Sequence, residues 1–377
     1  MMKRIQRITT IILVIVIFFR FGFLIYKSFS HFQGSYWAGY EGFKNAYLNS
    51  QYIRTNPTAS IPDETLYSYA AGAYLKGESL LDVNPGTPPL GKYLFSLSII
   101  LFDNPNTIMI VVFIFFIIGI FFLGKEIISS TFIVLILLII ILFQPLIADQ
   151  LRFIPLLDIP MMTFQIWSIY FFIKGLKKNG FFILISMVLL GVAMMTKIFS
   201  ISVPLLAIYT AYILLNRRKL FGWLLLGYLS IAGVAIVTYI PIYYRGYTPW
   251  NVLGIQKWSY IYNMSKLNRF LTVWDLIFFN RWHVWWGDQP VIHDANWHIS
   301  WPVLFGLSWV WILKHTRSFF RLSHAQQIVY LWTIAYFIMI SLNQSSARYL
   351  LPILPFTYIL SADVLCGWYK HLRKILN

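Results

Sequence analysis

The sequence predicts an all-α integral membrane protein with about ten transmembrane helices and interfacial helices in its first outer loop, and three observations carry this. Of 377 residues, 59% are hydrophobic and only 11% are charged, and the mean hydropathy is +0.67, well above the range of soluble domains. The apolar residues come in long continuous runs, as lipid-spanning helices of about 20 residues require, whereas the strands of a membrane barrel would alternate. Lys and Arg fall in short clusters between the runs and not along one amphipathic face, so membrane topology explains the net charge of +17 better than nucleic-acid binding does.

The elements follow in order. The start, MMKRIQRITTIILVIVIFF, has a basic end and an apolar run with no small-residue cleavage pattern, and reads as an uncleaved signal-anchor. The spans fall at roughly 8–27, 107–123, 127–147, 160–173, 181–196, 200–215, 220–240, 302–313, 326–343 and 348–367. Basic clusters mark every second junction: Lys3/Arg4/Arg7, Lys125, Lys174/Lys177/Lys178, Arg217/Arg218/Lys219, Lys314/Arg317/Arg321 and Lys370/Arg373/Lys374. The positive-inside rule then puts both termini in the cytoplasm. The further apolar run PPLGKYLFSLSIILF, Pro88 to Phe102, would invert every later cluster if it crossed, so it is expected to lie in the outer interface.

The chain thus reads as one polytopic domain over residues 1–377, with outer loops at about 28–106 and 241–301. Eleven of the 13 acidic residues face outward in this topology, among them Asp63, Glu64, Asp149, Asp158, Asp288 and Asp294. Chemistry is therefore expected on the outer side. The single cysteine, Cys366, permits no intramolecular disulfide.

Asp63 and Glu64 stand together before TLYSYAAGAYLKG, a short amphipathic helix. Helix capping and general acid–base work are both open for Asp63. Asp158, in ADQLRFIPLLDIPMMTF, sits at the outer mouth of the fourth span, six residues after Arg152. Two outward carboxylates suit an acceptor hydroxyl: one removes its proton while the other orients it or raises the basicity of the first. Outward cations accompany them: Lys92 on the interfacial helix, Lys197 at an outer turn and Arg348 at the start of the last span. Each alone is readable as a snorkelling side chain, but together they suit an anionic group such as a lipid phosphate.

The segment WGDQPVIHDANWHISWPVL brings His293, Trp297, His298 and Trp301 before the eighth span, either as interface anchors or as site residues. Its His and Asp residues match no strong metal-ligand spacing, so no metal or other cofactor is called, and no Gly-rich nucleotide loop stands out. A transporter or flippase of an anionic lipid or glycolipid is the alternative reading. It should show inverted repeats and a midplane site, and the sequence displays neither.

In this order the pieces resemble the GT-C membrane glycosyltransferases, most closely the protein O-mannosyltransferase-like branch and its relatives that transfer aminoarabinose to lipid A. The resemblance rests on the DE pair Asp63–Glu64, PPLGK at Pro88 to Lys92, the Arg-aromatic-x-x-Leu-Leu-Asp string from Arg152 to Asp158, and the turn from Gly191 to Lys197. It continues through His293 to Pro302 and the Arg-Tyr-x-x-Pro-x-x-Pro span from Arg348 to Pro355. It implies an extracytoplasmic active site, a polyprenyl-phosphate-linked sugar donor, and a protein or glycan acceptor, with no nucleic-acid partner. It also implies inverting transfer of a hexose such as mannose by single displacement. Asp63 would activate the acceptor hydroxyl beside Glu64, with Asp158 as second carboxylate and Lys92 and Lys197 on the donor phosphate. Arg152 and Arg348 would close the phosphate pocket, and His293, Trp297 and Trp301 would contact acceptor or sugar. Two features depart from the family: Thr87 stands where eukaryotic members usually carry His, and the sequence ends at Asn377 without an appended outer module.

Overall fold

The computed structural model describes residues 2–54, 60–264, 269–284, 288, 290–342 and 346–376. After α1 (Met2–Lys27) come α2 (Tyr36–Leu48), α3 (Asp63–Leu75) and α4 (Leu90–Phe102). The bundle continues with α5 (Ile108–Ile127), α6 (Thr131–Leu142), α7 (Pro145–Arg152), α8 (Asp158–Lys177), α9 (Phe181–Thr196), α10 (Phe199–Asn216) and α11 (Phe221–Tyr243). The connection between α11 and the last three helices holds α12 (Pro249–Met264), α13 (Thr272–Phe279) and a hairpin in which β1 (Trp282–His283) pairs antiparallel with β2 (Val291–Ile292). The chain closes with α14 (Ser300–Thr316), α15 (His324–Ser341) and α16 (Leu354–Leu376).

Every expected span coincides with a helix or a pair of helices. By length and composition, α1, α5, α10 and α11 are able to cross a bilayer unaided, and α6 with α7 makes a fifth span bent by 58°. Helices α8, α9, α14, α15 and α16 are shorter or less uniformly apolar, and bury themselves among the others. Side chains such as Phe18, Phe19 and Leu215 remain outward-facing and exposed, as a lipid-facing surface requires. Of the expected basic clusters, the side chains of Lys3, Arg4, Lys370, Arg373 and Lys374 lie outside the described residues.

Two expectations change. The span read as 127–147 is broken, because Pro145 has no N–H to continue the ladder of α6 and forces Gln144 into an extended conformation, φ −67° and ψ 127°. The span read from 348 begins later: a 3₁₀ turn, Ala347–Leu350, precedes α16, whose start is set by Pro352 and Pro355. Broken ends of this kind bring irregular backbone to membrane depth only where protein covers it.

α3 differs from the amphipathic helix expected. Leu66 to Ala73 are all buried, since α3 is wedged between α2 and α4 and has no solvent stripe in that stretch. Its small residues permit this. A Cβ at Gly72 would lie 2.7 Å from the ring of Tyr36, whose hydroxyl donates to the Ser68 carbonyl at 2.7 Å. α4 turns Lys92, Phe95, Ser96 and Ile99 inward and leaves Leu97, Ile100, Leu101 and Phe102 exposed, the division expected of an interfacial helix.

Within the bundle α9 packs against α8, α10, α11 and α4. A polar seam holds this region in register: Gln165 donates to Ser202 at 2.9 Å, while Ser168 and Ser186 exchange hydrogen bonds with each other's carbonyls at 2.8 Å. The outcome for function is positional. The N-termini of α3 and α8, the C-terminus of α9 and the turn before α16 converge at one end of the bundle.

Candidate active site

Asp63 and Glu64 form the first turn of α3, behind Pro62 in an extended conformation at the N-cap. Pro62 makes no side-chain cap, and the Asp63 carboxylate turns away from the helix: its Oδ2 accepts from Arg348 Nη1 at 2.8 Å. The other fork of Arg348, Nη2, donates to Asp158 Oδ2 at 2.6 Å. Asp158 Oδ1 accepts from Lys197 Nζ. Capping is therefore not what occupies Asp63; an ion chain is.

The chain is ordered by helix ends. Asp158 opens α8, where a carboxylate is favoured by the helix dipole. Lys197 follows α9 at its C-terminus, where a cation is favoured. Arg348 stands on the 3₁₀ turn before α16, and links these two to α3. Two cations against two carboxylates leave the cluster neutral, which is what makes a half-buried arrangement tolerable. Burial opposes the Arg348 charge, but Asp158 and Asp63 outweigh it and raise its pKa further.

The two carboxylates are not equivalent. Asp158 is almost fully buried, and both of its oxygens are taken by cations. Asp63 is about one third exposed, with side-chain accessibility of 35%, and its Oδ1 has no hydrogen-bond partner among the described residues. Asp63 keeps one oxygen open, whereas both oxygens of Asp158 are bound, to Lys197 and to Arg348. Arg348 Nε is buried and has no hydrogen-bond partner among the described residues.

Tyr67 was not singled out in the sequence. It lies one turn after Asp63, buried, within Coulombic reach of Asp63, Arg348 and Asp158. Burial and then the Asp63 carboxylate push its phenol well up, so it stays a hydroxyl donor beside the cluster. The i,i+4 spacing from Asp63 was the available signal.

The remaining expected residues lie elsewhere. Lys92 is fully buried, and its Nζ donates to the Asn84 carbonyl at 2.8 Å and Oδ1 at 3.1 Å, and to the Thr87 carbonyl at 2.9 Å and Oγ1 at 3.2 Å. Four oxygens already compete for three N–H groups, so this ammonium is enclosed by the 84–87 loop and stands apart from the ion chain. Thr87 is one of its partners. Arg152 ends α7 in an exposed position, with its guanidinium 5.2 Å from the Phe153 ring. Glu64 and Arg152 both border a cavity of about 340 Å³ beside α3.

The connection between α11 and α14 uses its polar groups internally. His293 Nδ1 meets the Asn280 carbonyl at 2.8 Å, Trp297 Nε1 donates to the Ile277 carbonyl at 2.9 Å, and Trp301, fully buried, donates to Gln144 Oε1 at 3.2 Å. These contacts pin α13 and the break before α7 to the start of α14. Among the described residues no group of three or more His, Cys, Asp or Glu side chains is placed to hold a metal ion.

With this geometry in hand, the comparisons with known proteins are specific. Residues 86–244 match the family described as dolichyl-phosphate-mannose-protein mannosyltransferase, a stretch that includes Lys92, Arg152, Asp158 and Lys197. The whole bundle superposes on ArnT from Cupriavidus metallidurans bound to undecaprenyl phosphate, with a TM-score of 0.55 and 14% identity over 94% of this chain. The chain has the GT-C fold. The apo form of the same ArnT matches this GT-C chain with a TM-score of 0.50 and 17% identity over 83% of its length. The chain spans 62% of the first of these structures and 57% of the second. No curated protein matches the sequence.

Proposed function

We propose that the protein is a polyprenyl-phosphate-sugar-dependent glycosyltransferase, with its active site on the extracytoplasmic face and both termini in the cytoplasm. It transfers a hexose, mannose by the family match, to a hydroxyl of a protein or of a surface glycan. The observation that carries this reading is the Arg348 fork, which joins a partly exposed carboxylate with a free oxygen to a buried carboxylate–lysine pair.

In this reaction Asp63 Oδ1 takes the proton of the acceptor hydroxyl as its oxygen attacks the anomeric carbon. The new C–O bond forms on the face opposite the phosphate, the old C–O bond breaks, and its electron pair leaves with the lipid phosphate. The configuration inverts, and no sugar–enzyme bond forms. The departing anion gains charge as the bond breaks, and once Asp63 carries the acceptor's proton the cluster of Arg348, Lys197 and Asp158 has a net positive charge that stabilises it. Asp158 keeps both cations aimed. Lys92 holds the 84–87 loop and shapes the wall of the site without touching the phosphate. His293, Trp297 and Trp301 are assigned to building the outer cover under which acceptor and sugar meet.

The lipid donor is supported by the undecaprenyl phosphate bound to the ArnT of similar fold. The test is transfer by the purified chain in lipid nanodiscs, using polyprenyl-phosphate mannose labelled in the sugar. Labelled product with inverted anomeric configuration is expected. Retained configuration, or transport of the lipid with no transfer to any hydroxyl, would overturn the reading.

A further inference from the structure

α3 lies between the ion chain and a cavity. Asp63 and Tyr67 face the ion chain, while Glu64, Thr65 and Ser68 border the cavity of about 340 Å³ on the other side. Asp63 and Glu64 are consecutive residues of one helical turn, so the cavity borders the same turn that carries the proposed base.

The cavity has the chemistry of a carbohydrate subsite. Asn106, 9% exposed, borders it; its Nδ2 donates to the His31 carbonyl, and its buried Oδ1 has no hydrogen-bond partner among the described residues. Glu64 makes no ion pair among the described residues and offers two further acceptor oxygens, while Arg152 offers donors from the opposite border. Tyr36 and Phe43, stacked with ring centroids 5.7 Å apart, form an aromatic part of the wall. A side chain of Ser or Thr carries one hydroxyl and would leave most of these groups unmet. A sugar ring offers several hydroxyl donors to Asn106 and Glu64 and an apolar face to the rings. The volume is near the lower end of ligand pockets, about 300–1,000 Å³, which fits one or two rings and not a folded protein segment.

We propose that this cavity is the acceptor subsite and that it takes a terminal sugar unit of a glycan, with Glu64 and Asn106 holding its hydroxyls; the inference rests on the transferase reading for what happens next to that sugar. The sugar hydroxyl nearest α3 gives its proton to Asp63, its oxygen bonds to the donor's anomeric carbon, and the phosphate leaves with the electron pair of the broken bond.

The test separates binding from transfer. Gly39 borders the cavity, and a Cβ there makes only ordinary contact, 3.7 Å from Phe43, so Gly39→Leu fills the cavity without a backbone clash. Saturation-transfer NMR on the full chain in nanodiscs, with methyl α-mannoside and a mannose disaccharide as probes, is expected to show binding. The signal should fall at least tenfold in Gly39→Leu and in Glu64→Gln, and persist in Asp63→Asn. Transfer from the labelled lipid donor should go to the disaccharide and not to a Ser/Thr-bearing hexapeptide. Sugar binding that is absent, or unchanged in Gly39→Leu, overturns the subsite even if the peptide is glycosylated and the transferase reading stands. Sugar binding at this cavity without transfer to any acceptor leaves a glycan site and overturns the transferase reading instead.

Discussion

Arg348 holds Asp63 and Asp158 with separate nitrogens, at 2.8 Å and 2.6 Å, so one planar fork fixes the relative position of two carboxylates on different helices. The two ends of that fork respond differently to substitution, because one carboxylate is partly exposed and the other is buried.

Asp63→Asn keeps the shape of the side chain and an oxygen able to accept from Arg348, but it removes the group that takes up a proton. Turnover is expected to fall by about 10²–10⁴-fold, the usual contribution of a positioned general base. Insertion and thermal unfolding should stay close to wild type. A variant that turns over within a few-fold of wild type would remove Asp63 from the chemistry.

Asp158→Ala leaves Lys197, itself buried, without its carboxylate and Arg348 with one fork unpaired. Breaking a buried pair from one side costs about 3–5 kcal/mol, so this variant should lose both stability and activity. Unfolding in detergent, followed by denaturant or heat, checks it. Equal stability of Asp158→Ala and Asp63→Asn would contradict the difference in burial that separates them.

Arg348→Lys retains the charge and removes the fork. A lysine ammonium is a compact point donor that is unable to reproduce the planar, two-pronged contact with Asp63 and Asp158. Donor use is expected to suffer at least tenfold, read as a rise in the apparent KM for the polyprenyl-phosphate sugar together with a fall in kcat. Wild-type kinetics in Arg348→Lys would show that charge alone suffices there.

The ion chain was partly legible before the fold. Asp63, Asp158, Lys197 and Arg348 stood out because charge is scarce in this chain and topology put them on one face. Their connectivity was hidden, since it depends on where α3, α8, α9 and the turn before α16 end in space. Lys92 shows the limit from the other side. Its motif suggested a ligand contact, but the acceptors that enclose it are largely backbone carbonyls of Asn84 and Thr87, which no side-chain pattern announces. The bend of 58° between α6 and α7 was written in Pro145, yet the apolar residues resume at Leu146 and Ile147 and mask the break. The cavity was invisible for a different reason. Its lining comes from α2, α3 and the loops before α5 and α8, segments that acquire a common surface only on folding.

Lys92→Met tests the structural account of that residue. Removing the ammonium leaves the Asn84 and Thr87 carbonyls without this donor, while Asn84 Oδ1 keeps the Thr87 hydroxyl, at a cost of about 1–3 kcal/mol for each group left unsatisfied. Stability should fall and the 84–87 loop should become protease-sensitive, while affinity for polyprenyl phosphate in the surviving folded fraction stays near wild type. A selective loss of lipid affinity at full stability would return Lys92 to the donor phosphate.

Gly91 offers a probe of the site that touches no charge. It is the residue before Lys92 on α4, and a Cβ there would fall 2.6 Å from the Thr196 carbonyl and against the Leu157 side chain. Those two neighbours immediately precede Lys197 and Asp158. A methyl group at this point has to push apart the end of α9 and the start of α8, and rigid backbone is one of the two obstacles. Packing inside such a bundle is close to crystalline density, so the shift is passed on to the Lys197–Asp158 pair and not absorbed locally. Gly91→Ala is therefore expected to cost about 1–3 kcal/mol, the usual range for overpacking, and to lower kcat more than it raises the apparent KM for the lipid donor. Kinetics and thermal unfolding measured on the same preparation decide it. A Gly91→Ala protein with wild-type stability and turnover would show that α4 does not abut the two helix ends that carry the ion chain.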